Sequence, residues 1–202
     1  MRSHFHTRLQ VHELRTSLSI RVQGVNVAKP IREFSEAGLD AKIMRTIAKV
    51  GFERPTAIQA QALPVVLSGR DVIGIAKTGS GKTMAFVWPL FRHIMAQPML
   101  KAGDGPIGII LAPTRELAHQ IFLEAKKFAK PFNIQICSVY GGVTKWEQVK
   151  ALKAGCEIVV ATPGRFIDIV KSKATNLTRC TYLVCNHVGY CCEQQRLYTR
   201  ME

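Results

Sequence analysis

Between Leu39 and Val50 the apolar residues fall at 39, 43, 44, 47 and 50, a period that predicts an amphipathic helix ending at Gly51. Thr56 is placed to cap a second helix running through Ala57–Leu63. Gly69-Arg70-Asp71 reads as a turn into a short buried strand, Asp71–Ile75, and a helical pattern resumes at Lys82. Further strands are expected at Ile107–Leu111, Ile134–Tyr140, Glu157–Ala161 and Thr181–Val184. Helices over Glu116–Ala129, Thr144–Ala154 and Arg165–Lys171 fall between them. This alternation predicts an α/β fold, a largely parallel sheet with helices on both faces. Ligands of such sheets bind beyond the carboxyl ends of the strands. The loops after Ile75, Leu111, Tyr140 and Ala161 are therefore expected on one edge.

The first of these loops, Ala76-Lys77-Thr78-Gly79-Ser80-Gly81-Lys82-Thr83, carries the most specific chemistry. Placed between a strand and a helix, it has the context of a phosphate-binding loop. Gly79 and Gly81 let successive N–H groups turn inward toward an anion, and the helix dipole adds to the field. Lys82 is then positioned for the β- and γ-phosphates, and Thr83 offers a hydroxyl to Mg²⁺. The strict pattern has Gly where this chain has Ala76. The expected ligand is a nucleoside triphosphate.

The other three loops hold Pro113-Thr114-Arg115, Gly141-Gly142 and Thr162-Pro163-Gly164-Arg165. Each alone is an ordinary turn. Together on one edge they supply the close backbone approach, hydroxyls and arginines that sugar–phosphate contact requires.

Charge agrees with that reading. The 202 residues include 28 Lys and Arg against 14 Asp and Glu, a formal +14 that favours polyanionic partners. An apolar content of 47% fits a buried core, and no apolar run approaches the roughly 18 residues of a membrane span. Residues 1–30 read as a basic lead-in, a flexible extension in preference to an amphipathic transit peptide. Cys137 and Cys156 read as small buried hydrophobes. Cys180, Cys185, His187, Cys191 and Cys192 cluster, but no C-x₂-C pair recurs at finger spacing, so zinc is not expected. A reducing intracellular compartment is the default.

Gly51–Gln59, Ala76–Thr83, Pro113–Ala118, Gly141-Gly142 and Thr162–Arg165 resemble, in order, five successive motifs of the DEAD-box RNA helicases. The resemblance covers residues 31–184 and implies the N-terminal RecA-like domain of a P-loop NTPase that uses ATP and Mg²⁺. It implies that Gln59 reads the adenine edge, that Phe34 stacks on the base, and that Arg54 and Thr56 complete that side. Thr78, Gly79, Ser80, Gly81, Lys82 and Thr83 would take the phosphates, with Thr83 on the metal. Pro113, Thr114, Arg115, Gly141, Gly142, Thr162, Pro163, Gly164 and Arg165 would lie along an RNA backbone, with little sequence preference. Gly103–Pro106, Trp146–Gln148 and Lys173–Leu177 are similar to a splicing-linked subgroup, which implies RNA-processing protein partners and the nucleus rather than the cytoplasm.

The chain also departs from the family. Where the resemblance calls for Asp-Glu-Ala-Asp after Val184 and one apolar residue, it reads Asn186-His187-Val188-Gly189. The Asp that would hold Mg²⁺ and the Glu that would position water are thus replaced, and residues 185–202 read as an aberrant tail. The sheet is expected to be incomplete at its C-terminal end, and the second RecA-like domain is not among the 202 residues. The expected activity is nucleotide and RNA binding without effective hydrolysis or unwinding. The alternatives are residual ATPase with a substitute base such as His187, or a basic fragment whose site does not assemble.

Overall fold

Thr7 and Gln10 close a capping box: the Thr7 hydroxyl accepts the Gln10 N–H at 3.3 Å, and Gln10 Oε1 accepts the Thr7 N–H at 2.9 Å. It starts α1 (Arg8–Ser17) inside the stretch read as a lead-in. The computed structural model describes residues 7–186. The chain divides into two units, Met1–Arg92 and His93–Glu202.

In the first unit, α2 (Ala41–Val50) buries Ile43 and Ile47 and ends at Gly51, whose left-handed φ of 87° suits a residue without Cβ. α3 (Ala57–Leu67) and α4 (Lys82–Met95) follow. The lead-in is tied to α3: Arg15 Nε donates to Gln61 Oε1 at 2.9 Å, and Gln61 Nε2 to the Ala28 carbonyl at 2.8 Å. Trp88 of α4 is fully buried, with Phe34 and Phe52 edge-on to it at centroid distances of 5.4 and 5.6 Å.

The strand expected over Asp71–Ile75 does not form. Val72, Ile73 and Ile75 are 41%, 74% and 93% exposed instead of buried. A strand is stabilised by its ladder, and among the described residues this segment pairs with no strand. An apolar run alone leaves the backbone an unpaired connection.

The second unit is the expected parallel sheet. Its strands are β1 (Gly108–Leu111), β2 (Ile136–Val139), β3 (Ile158–Ala161) and β4 (Tyr182–Cys185), in the order β2-β3-β1-β4. Ile109 pairs with Val159 of β3 on one side and Leu183 of β4 on the other. Because parallel neighbours need crossovers, α5 (Arg115–Ala129), α6 (Lys145–Lys153) and α7 (Pro163–Lys171) connect successive strands. The central pair, β1 and β3, is buried throughout, which accounts for their unbroken apolar sequences. β2 is shorter than the expected strand Ile134–Tyr140, and β4 lies at an edge with Leu183 half exposed.

Candidate functional site

Gln59 occupies the N3 position of α3, where its Oε1 accepts the backbone N–H of Thr56 at 3.1 Å. Its Nε2 donates to the carbonyl of Gly81 at 3.1 Å, so one fully buried amide joins the helix start to the phosphate loop. Each half of that amide has used one hydrogen bond, leaving one donor and one acceptor. The Gly79 and Gly81 φ angles of 73° and 83° give the loop its turn into α4. Lys82 folds back over the loop, its ammonium donating to the carbonyls of Ala76 and Lys77. Ser80 Oγ is buried without a hydrogen-bond partner. A buried orphan hydroxyl, a cationic amine and a helix N-terminus fit a phosphate group.

Thr83 lies in the first turn of α4 and is half-buried, while Thr78 and Arg54 are exposed. Phe34 is only 4% exposed and its ring stands perpendicular to Trp88, so a stacked base would first require its face to be uncovered. Among the described residues no group of three or more His, Cys, Asp or Glu is placed to hold a metal. Asn186 continues β4, its N–H donating to the Leu111 carbonyl at 2.9 Å; His187 lies outside the described residues.

In the second unit the loops after β1, β2 and β3 do meet on the carboxyl edge of the sheet. Thr114 caps α5 by accepting the Leu117 N–H at 3.3 Å, which sets Arg115 at the exposed first position. The Arg115 guanidinium lies 5.5 Å from the Tyr140 ring centroid and donates to the Gly142 carbonyl at 3.4 Å. Arg165, in the first turn of α7 after Thr162 and Pro163, donates to the Val143 carbonyl at 3.0 Å. Gly141 and Gly164 are exposed beside them. Two cations are thus held by loop carbonyls on one surface, each with N–H groups left over for an anion.

Among the members of this surface, Tyr140, His119 and Lys145 were not singled out from the sequence, and Gln148 only as part of Trp146–Gln148. Tyr140 is the platform for Arg115, and its hydroxyl lies 3.0 Å from His119 Nδ1. Gln148 is buried and donates to the Tyr140 carbonyl at 2.9 Å, fixing the start of the Gly141-Gly142 turn. Lys145 adds a third cation, exposed at the start of α6. Tyr140 was legible only as the end of a strand; its contact with α5 depends on a crossover spanning 25 residues.

Residues 56–189 match the model of the DEAD/DEAH box helicases. The chain belongs to that family. It is 62% identical over 175 residues to the DEAD-box ATP-dependent RNA helicase 24 of Oryza sativa subsp. japonica, covering 87% of this chain and 23% of that protein. Against the pre-mRNA-processing ATP-dependent RNA helicase prp11 of Schizosaccharomyces pombe it is 55% identical over 179 residues, covering 87% of this chain and 18% of that one. The chain therefore spans about a fifth of the length of these relatives. The crystal structure of the RNA helicase Prp28 from Chaetomium thermophilum bound to ADP superposes with a TM-score of 0.88 at 35% identity, over all of this chain and 50% of that one. The fold is RecA-like. No helix among the described residues is long and apolar enough to cross a membrane.

Proposed function

We propose that this chain binds adenine nucleotide through its first unit and RNA through its second, and that it turns ATP over poorly. The observation that carries the nucleotide assignment is the Gln59 bridge between Thr56 and Gly81. The donor and acceptor left on that amide suit adenine, which offers an acceptor at N7 and a donor at N6. Guanine offers two acceptors there and leaves the Gln59 oxygen facing another. Lys82 and Ser80 would face the phosphates, and Thr83 would contribute its hydroxyl to Mg²⁺. When bound, the metal neutralises phosphate charge.

Support for RNA comes from the carboxyl-edge cations and the +14 balance. Contacts of this type reach phosphates rather than base edges, so sequence preference should be low. Inefficient hydrolysis rests on Asn186 and His187 standing where the family has Asp and Glu. A neutral amide oxygen holds a hard cation more weakly than a carboxylate, and loss of a positioned base typically removes a factor of about 10²–10⁴. The name of the fission-yeast relative supports an RNA-processing setting in the nucleus.

The test is a titration with ATP and GTP, followed by RNA-stimulated phosphate release, each against Lys82→Ala. ATP should bind in preference to GTP, Lys82→Ala should abolish binding, and phosphate release should match the variant's background. Equal affinity for the two nucleotides would refute the Gln59 assignment. Turnover that vanishes in the variant would refute the inactivity.

A further inference from the structure

Two segments take no part in the sites above: Gly103–Pro106 and Lys173–Leu177. Both arrive at the amino-terminal edge of the second unit's sheet, opposite Arg115 and Arg165. With the turn between α6 and β3 they border an open cavity of about 1030 Å³, large enough for several side chains of a ligand. The walls are built rather than incidental. Asn176 Nδ2 donates to the Gly103 carbonyl at 2.8 Å, and Arg179 pairs with Asp104 at 2.7 Å while donating to the Pro98 carbonyl at 2.8 Å. The two segments run so close that a Cβ on Gly105 would lie 1.9 Å from the Asn176 carbonyl oxygen.

The lining divides by chemistry. Leu152, Val170, Ala174 and Leu177 form an aliphatic floor continuous with the core packed against β1 and β3. Lys101, Lys153 and Lys173 stand exposed on the rim. The two carboxylates of the wall are engaged, Asp104 with Arg179 and the Lys101 N–H, Glu157 with the Gln135 N–H at 2.7 Å. Lys153 and Lys173 make no ion pair among the described residues.

We propose that this cavity docks an acidic peptide segment of a partner protein, with one aliphatic side chain on the floor and flanking carboxylates on Lys153 and Lys173. Charge complementarity favours an acidic occupant, and the floor requires an apolar one. RNA fits poorly. No aromatic or arginine side chain lines the cavity to stack on a base, and its aliphatic floor offers a nucleotide no polar partner. The assignment is independent of nucleotide and RNA binding, because its residues lie at the other end of the strands.

The experiment is selection of a displayed random heptapeptide library on the 202-residue chain, with the recovered peptides measured by fluorescence anisotropy. The expected peptides carry Asp or Glu on both sides of a Leu, Ile, Val or Met. Lys153→Glu with Lys173→Glu should weaken them at least about tenfold, and Arg115→Ala should leave them within about twofold. Both lysines are exposed, and an unchanged melting temperature would show that the double variant folds. Recovery of no acidic–aliphatic motif, or equal binding by the double variant, would overturn the proposal. So would competition by oligouridylate, which would make the cavity an RNA surface. Dimerisation abolished by the same two substitutions would assign it to a second copy of this chain instead.

Discussion

Gln59 Nε2 and the Gly81 carbonyl are 3.1 Å apart across 22 residues of sequence, and a Cβ on Gly81 would come within 2.6 Å of that same nitrogen. The approach is possible only because residue 81 has no side chain and holds a φ of 83°. Gly81→Ala should therefore destabilise the chain by about 1–3 kcal/mol and separate Gln59 from the phosphate loop. Urea unfolding and nucleotide titration of the same preparation would show both losses. Unchanged ATP affinity would mean that the bridge has no part in binding.

Arg115→Ala and Arg165→Ala should each weaken RNA binding uniformly across sequences. Each should also flatten the slope of log K against log salt by roughly one. Arg115→Lys should not restore the wild-type affinity, because a point charge cannot reproduce a planar guanidinium packed against Tyr140. Binding to a homopolymer and a mixed-sequence RNA at several salt concentrations checks this.

His93 supplies a pH test. Its Nε2 lies 2.7 Å from the Gln97 amide nitrogen and 2.8 Å from Thr181 Oγ1, an arrangement in which the ring accepts from the amide and stays neutral. Burial lowers its pKa below the ordinary 6.5, so the unfolded chain binds the proton more readily. The contribution is fully present above pH 6.5 and is lost as pH falls from there through the lower folded value. Melting temperature should drop across that window, and His93→Gln should reduce the drop. An identical pH profile in the variant would assign it to other groups.

Trp88 anchors the first unit through Phe34 and Phe52. Trp88→Ala should cost about 3–5 kcal/mol, while Trp88→Phe should retain much of the packing. Because Trp146 is 67% exposed, the intrinsic fluorescence of the two tryptophans separates on addition of iodide. Only the Trp88 component should be protected.

Much of this was legible locally. The period of α2, its Gly51 stop, and the unbroken apolar strands β1 and β3 are written in residues adjacent in sequence. Thr7-Arg8-Leu9-Gln10 carries the capping-box signature, so α1 was available to a closer reading of the lead-in. The segment Asp71–Ile75 misled because composition records apolarity but not whether the backbone finds a pairing partner. In the candidate site, the order of the motifs pointed to Arg115 and Gly142, which the fold brings together, whereas Tyr140 beside Arg115 emerged only from the fold. The capping role of Gln59 explains why a residue read for its ligand contact is also buried structurally.

The exposed apolar run Val72–Ile75 is bounded by Arg70 and Lys77, and a flanked, unpaired hydrophobic peptide of this kind is what cellular chaperones and proteases survey. Exposure of this segment is expected to shorten the lifetime of the polypeptide in a cell. Blocking the proteasome should raise its level more than that of an Ile73→Asp, Ile75→Asp variant. A pulse–chase comparison of the two would turn an unpaired apolar segment into a measurable half-life.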